Sequence, residues 1–89
     1  MKQLPEVKIK NITFLLPLKE FELLAFLATN PNQVFSRSHL IEKIWGLDFE
    51  GDDRTVDVHI KRLRERFADH SENFAIKTIR GVGYSLEVQ

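Results

Sequence analysis

From Asp53 to Phe67 the chain reads Asp-Arg-Thr-Val-Asp-Val-His-Ile-Lys-Arg-Leu-Arg-Glu-Arg-Phe, and as a helix this stretch separates an apolar stripe from a cluster of cations. At about 100° per residue, Val56, Ile60, Leu63 and Phe67 fall in one narrow sector, whereas Arg54, Val58, Lys61 and Arg62 point roughly the other way. The stripe must be buried, so any fold of this chain has to pack its other elements against that face. The outward face carries guanidinium groups, an ammonium, a carboxylate and a bare isopropyl group. That variety suits base edges as well as phosphates, although solvation alone also leaves charges on the outside of a surface helix.

What can cover the stripe is bounded by size. The chain has 89 residues, 43% of them hydrophobic, which suffices for one domain with a small core and is too little for two. Cysteine is absent, so the core must hold without disulfides or thiolate metal sites, as suits a reducing compartment. No apolar run approaches the roughly 18 residues of a membrane span, and the start, Met-Lys-Gln-Leu-Pro-Glu, lacks the apolar region of a signal peptide. A soluble, cytosolic domain is expected. The formal net charge is zero, yet residues 1–53 sum to minus two and residues 54–89 to plus two. Within 54–67 five cations (Arg54, Lys61, Arg62, Arg64, Arg66) face two carboxylates (Asp57, Glu65). A local patch of that kind can bind phosphate even on a neutral chain.

The remaining pattern gives an element order. Val7 to Ile9 and Ile12 to Leu16 are short β-branched or aromatic stretches around Lys10-Asn11, which predicts two brief strands and a turn. From Leu18 the period becomes helical, with Phe21, Leu24, Leu27 and Ala28 as the stripe, Leu23 and Phe26 widening it, and Pro17 at the start. Asn30-Pro31-Asn32 ends that helix. Ser36 offers a cap for a second helix from about Arg37 to Trp45, with Leu40, Ile41 and Ile44 inward and Gly46 closing it. Leu47 to Asp52 reads as a loop, and Asp52 or Asp53 as the cap of the third helix. After a polar stretch, Ala68 to Asn73, the alternation of Phe74 to Ile79 and Tyr84 to Val88 around Gly81-Val82-Gly83 predicts a hairpin. A short β-region, three helices and a terminal hairpin make an α+β domain spanning 1–89, in the order of a winged helix-turn-helix.

Five segments in that order carry a resemblance: Leu16-Pro-Leu-Lys-Glu-Phe-Glu-Leu-Leu24, Phe35-Ser-Arg-Ser-His-Leu-Ile41, Ile44-Trp-Gly46, Asp53-Arg-Thr-Val-Asp-Val-His-Ile-Lys-Arg-Leu-Arg64 and Thr78-Ile-Arg-Gly-Val-Gly-Tyr84. Together, from about Ile12 to Leu86, they resemble the OmpR/PhoB-type effector domain of bacterial two-component response regulators. The resemblance implies a winged helix that binds direct DNA repeats as a head-to-tail pair, after a sensor kinase has led to phosphorylation of a separate receiver domain. Residues 1 to 6 are too few to hold that receiver, so the chain reads as the isolated effector half. Two departures stand out: fewer strands than usual can precede the first helix, and Pro17 occupies the place of the family's common Thr.

By similarity and by position on the helix, Asp57, Val58 and Arg62 are expected to contact bases. A guanidinium can donate twice to guanine, a carboxylate can accept from cytosine's amine, and an isopropyl group can lie against a thymine methyl. Asp57 could equally serve as a helix-start charge or pair with Lys61 at i,i+4. Arg37, Arg54, Thr55, His59, Lys61, Arg64, Lys77, Thr78 and Tyr84 are assigned to the DNA backbone. For Lys61 plain solvation competes with that role; for His59, a bond to the helix backbone; for Tyr84, packing of the ring. Arg66 reads as a surface ion-pair partner and Trp45 as a core anchor that could also offer its indole N–H. Arg80, beside Gly81 at the hairpin turn, is expected in a minor groove.

The loop Leu47, Asp48, Phe49, Glu50, Gly51, Asp52 is expected, by resemblance, to face RNA polymerase. No catalytic constellation is present: His39, His59 and His70 lack metal-ligand spacing, and Gly81-Val82-Gly83 is too short for a nucleotide loop, so neither an enzyme nor a cofactor is expected. The rival reading is a winged-helix interaction module whose basic face meets an acidic protein.

Overall fold

The computed structural model describes residues 4–88. Strands β1 (Glu6–Ile9) and β2 (Ile12–Leu15) are followed by α1 (Leu18–Thr29), α2 (Arg37–Leu40) with a π-helical continuation (Ile41–Trp45), α3 (Arg54–Arg66), a 3₁₀ turn (Ala68–His70), and strands β3 (Phe74–Ile79) and β4 (Gly83–Val88). Each strand pair forms its own two-stranded antiparallel sheet. Lys10 and Asn11 both adopt positive φ, +48° and +71°, as a two-residue turn that follows the twist of its strands requires.

Helix α3 begins as its composition demands, with Asp52 the one of the two candidate aspartates that caps it. Asp53 is the N-cap residue but its side chain caps nothing; the carboxylate of Asp52 accepts the Arg54 N–H at 3.0 Å instead. Ser36 does cap α2, accepting the His39 N–H at 3.1 Å. The single helix expected over Arg37 to Trp45 opens into a π-turn after Leu40, marked by the Gly46 N–H reaching the Ile41 carbonyl at 2.9 Å. Lys19 of α1 donates to the Ile44 carbonyl near its end at 2.8 Å, satisfying an acceptor that the helix end leaves open. Gly46 then turns the chain at φ +99°, ψ +163°, a conformation that only glycine adopts without strain.

The core gathers around the stripe of α3. Val56, Ile60, Leu63 and Phe67 are buried with Leu16, Leu23, Leu24 and Leu27, with Leu40 and Ile44, and with Ile76, Tyr84 and Leu86 of the C-terminal hairpin. Helix α1 is rotated from the expected stripe: Glu20, Leu23, Leu24 and Leu27 face inward, Phe21 is half-buried and Ala28 is exposed. A buried ion pair accompanies this rotation. Glu20 is 2% exposed and accepts from Arg66 Nε at 2.7 Å, tying the start of α1 to the end of α3. Arg66 is therefore an ion-pair partner of a buried carboxylate rather than a surface ornament. Removing such a partner leaves a buried charge uncompensated, at about 3–5 kcal/mol.

The C-terminal hairpin is docked through its stem. Phe35, just before α2, exchanges both backbone hydrogen bonds with Tyr84, at 2.9 and 3.0 Å. Gly83 makes that approach possible, because a Cβ there would overlap the Phe35 carbonyl. Glycine at 83 serves close packing, whereas Gly81 serves the turn with φ +76°.

Candidate nucleic-acid interface

Packing of the α3 stripe turns the opposite face of the helix outward. Val58 is 44% exposed, and Lys61 and Arg62 beside it are exposed. Among the described residues, neither of these cations pairs with a carboxylate. Arg54 is exposed at the helix start, its Nε 4.0 Å from Asp52. Thr55 is half-buried on the first turn. An uncovered valine amid free cations is what the sequence led us to expect of a face that meets a partner.

Asp57 differs from its neighbours. Its Oδ2 accepts from Arg37 Nη1 at 2.9 Å and its Oδ1 accepts the Tyr84 hydroxyl at 2.6 Å. The expected pairing with Lys61 does not form. Instead the first residue of α2, the first turn of α3 and the C-terminal hairpin meet at one carboxylate. Burial and the adjacent negative oxygen push the Tyr84 phenol up to about 12, so it stays protonated and its proton is committed to Asp57. The ring packs as the sequence reading allowed, and the hydroxyl donates to Asp57.

Three further predicted phosphate ligands, Arg64, Thr78 and His59, have internal partners. Arg64 donates through Nε and Nη2 to the Ile76 carbonyl at 3.2 and 2.8 Å and through Nη2 to Thr78 Oγ1 at 2.8 Å, and its guanidinium lies 5.8 Å from the Tyr84 ring centre. It fastens α3 to β3, leaving Nη1 free. Thr78 accepts from Arg64 and so keeps its own hydroxyl proton for an outside acceptor. His59 Nδ1 donates to the Thr55 carbonyl at 2.8 Å, because a carbonyl can only accept. Its Nε2 can then hold a phosphate only as the imidazolium. Lys77 precedes Thr78 on β3 and therefore projects to the other face of the sheet.

Beside this node lies a cleft of about 310 Å³, lined by Arg37, Asp57 and the segment from Thr78 to Tyr84. Its rim is the turn of the hairpin, closed by the Val82 N–H on the Ile79 carbonyl at 2.9 Å. Arg80 sits exposed at that turn, and among the described residues no carboxylate pairs with it. Positive φ at Gly81, the third turn position, is the geometry of a type II turn.

The loop Leu47 to Asp52 is held from beneath. Trp45 is half-buried, with Phe49 at 5.9 Å and the His59 ring edge-on at 4.9 Å between ring centres. Leu47 is 82% exposed among Asp48, Glu50 and Asp52. Among the described residues no group of three or more His, Asp or Glu side chains is arranged to hold a metal ion, and no helix is long and apolar enough to cross a membrane. Sequence reasoning missed the partners of Asp57, Arg64 and Glu20, since contacts between residues 12 to 46 positions apart leave no local period to read.

A family model described as transcriptional regulatory protein, C terminal, matches residues 12–86. The heme response regulator HssR of Staphylococcus aureus (strain bovine RF122 / ET3-1) is 56% identical over 82 residues, covering 92% of this chain and 37% of that protein. The chain thus spans little more than a third of that relative's length. The crystal structure of the DNA-binding domain of Bacillus subtilis CssR superposes with TM-score 0.80 at 34% identity, covering 91% of this chain and 89% of that one. The Klebsiella pneumoniae RstA DNA-binding domain, solved in complex with the RstA box, gives TM-score 0.78 at 35% identity, with 92% and 82% covered.

Proposed function

Because this chain belongs to the OmpR/PhoB-type family of response-regulator DNA-binding domains, we propose that it binds double-stranded DNA with α3 in the major groove and Arg80 in the adjacent minor groove. The observation that carries this reading is an exposed α3 face, with Val58 among cations, on the same domain as an exposed Arg80 that pairs with no carboxylate among the described residues. Val58 and Arg62 are the base readers: an isopropyl group against a thymine methyl, a guanidinium on guanine. Arg37, Arg54, Thr55, Lys61 and the Thr78 hydroxyl grip phosphates. Arg64 contributes through its one free nitrogen, His59 contributes when protonated, and Lys77 reaches a flanking phosphate around the strand edge. An acidic protein partner would need the cations alone and gives no reason for a bare valine at their centre.

The regulator of which this is the effector would carry a receiver domain, answer to a sensor kinase and place two copies head to tail on direct repeats. The exposed Leu47 among acidic neighbours, braced by Phe49 and Trp45, gives the loop the form of a contact for RNA polymerase. The test of the DNA reading is a selection from random duplexes followed by binding to single-base variants. Arg62→Ala should lose about 1–3 kcal/mol at one or two base positions, whereas Lys61→Ala should lose nearly the same on every duplex. Equal loss everywhere for Arg62→Ala would remove it as a reader. Binding that stays flat as salt is raised would count against phosphate contact altogether.

A further inference from the structure

We propose that Asp57 reads no base: it is a positioning residue that aims the Arg37 guanidinium at a DNA phosphate and keeps the Tyr84 hydroxyl turned inward. The inference rests on the DNA reading above and reassigns two of the contacts that the resemblance implied, Asp57 to a base and Tyr84 to a phosphate. Both oxygens of the carboxylate are in use, one by a guanidinium nitrogen at 2.9 Å and one by a phenol at 2.6 Å. Each oxygen keeps a second lone pair, so a cytosine amine could reach Asp57 only from the direction these two bonds leave open, on a carboxylate whose aim is already set by a charge-assisted bond roughly twice as strong as a neutral one. Asp57 also lines the cleft toward the hairpin, together with Tyr84 and Arg80. Arg37 spends only Nη1 on Asp57 and is 44% exposed, so Nε and Nη2 remain for an outside oxygen.

The same accounting removes Tyr84 from the phosphate ligands. A phenol has one proton, and a phosphate diester has none to give. While Tyr84 donates to Asp57, its oxygen faces an acceptor with nothing to share. Its hydroxyl therefore serves to brace the carboxylate from the hairpin side while Arg37 draws from the other. Asp57 connects α2, α3 and β4 at a single point, so the phosphate donor of α2 is set in register with the helix in the groove.

The experiment measures Asp57→Ala, Arg37→Ala and the double variant against a duplex recovered by selection with the unaltered chain, its single-base variants and an unrelated duplex. Asp57→Ala should lose affinity by on the order of tenfold, by the same factor on every duplex, with a salt slope shallower by about 0.9, the value of one phosphate. In the Arg37→Ala background the Asp57 substitution should cost nothing more. A loss confined to one base pair, a uniform gain, or a full further loss without Arg37 would each overturn the proposal. Tyr84→Phe should weaken binding by less than Asp57→Ala and leave the salt slope unchanged, whereas a tenfold loss with a slope shallower by about 0.9 would return Tyr84 to the phosphate ligands.

An independent arm uses no DNA. Tyr84 is the chain's only tyrosine, so absorbance at the phenolate band reports it alone. Its ionisation should lie near 12, raised first by burial and then by the bond and charge of Asp57, and in Asp57→Ala it should fall only part of the way toward the ordinary value of about 10, because burial remains while the anion is gone. The raised value stabilises the fold fully below pH 10, and that contribution is lost as pH rises through 12. An unshifted phenol in the unaltered chain would refute the contact itself. Salt-independent binding by the unaltered chain would instead fail the DNA reading and leave the contact standing.

Discussion

The two hairpins of this domain are alike in being antiparallel and two-stranded, yet they are fastened at opposite ends. The β1–β2 hairpin is held at its tip, where Lys10 reaches Glu72 at 2.6 Å, while Val7, Ile9 and Phe14 settle half-buried on the core. The β3–β4 hairpin is held in its stem: Phe35 pairs with Tyr84, Arg64 grips the Ile76 carbonyl and Thr78, and Tyr84 reaches Asp57. An isolated two-stranded hairpin is marginal in water, so each depends on packing against the rest of the domain, the first through Val7, Ile9 and Phe14 and the second through its bonded stem. Where the ties sit decides what is left over. Tying the stem leaves Arg80 and its turn projecting from a rigid base, as an element that enters a groove requires. Tying the tip leaves nothing to project, and the first hairpin serves as cover for the core.

The harshest way to break this contrast is Gly83→Ala. A Cβ at that position would overlap the Phe35 carbonyl, so the stem could not pair with the segment before α2 without a backbone shift. Loss of about 3 kcal/mol or more in urea unfolding is expected. Thr13→Ala, on an exposed position of the first hairpin, should cost less than about 0.5 kcal/mol. Equal losses would mean that the two stems carry equal load.

Arg80→Ala separates tip from stem. The side chain is exposed and unpaired among the described residues, so the unfolding midpoint should not move, while DNA affinity should fall by about 1–3 kcal/mol on a site with a narrow minor groove. Titration of a labelled duplex beside a melt of the same sample separates the two effects. A variant that melts early would place Arg80 among the ties and dissolve the distinction between a fastened stem and a free tip.

What the sequence made legible follows from the range over which each signal acts. Periodicity placed α1, α3 and both hairpins within a residue or two, and the turns fell where Lys10-Asn11 and Gly81 stand. Val58 and Arg62 were legible because exposure on α3 is a matter of angle about one axis. Glu20 was not, since a carboxylate inside the α1 stripe reads as a solvent position until Arg66 arrives from the other end of the chain. The bond between Asp57 and Tyr84 was not legible for the same reason: each looked free within its own element. The π-turn after Leu40 had no local mark either, because a widened helix keeps the same apolar spacing over so few residues.

The mildest probe acts at the tip of the first hairpin. Lys10→Ala keeps a non-glycine residue at φ +48° and so leaves the turn's backbone cost in place while deleting the bond to Glu72. Both side chains are well exposed, 60% and 68%, where water and salt weaken an ion pair. The hydrogen bond and charge of Lys10 hold the Glu72 carboxyl below its ordinary range, so any contribution exists above the unfolded carboxylate's titration and fades as pH falls through the lowered one. Melts of Lys10→Ala and the unaltered chain at neutral pH should therefore differ by little more than replicate scatter, and coincide in acid. DNA affinity should not change. If it fell as far as for Arg80→Ala, the first hairpin would also reach the duplex, and fastening a tip would no longer distinguish cover from probe.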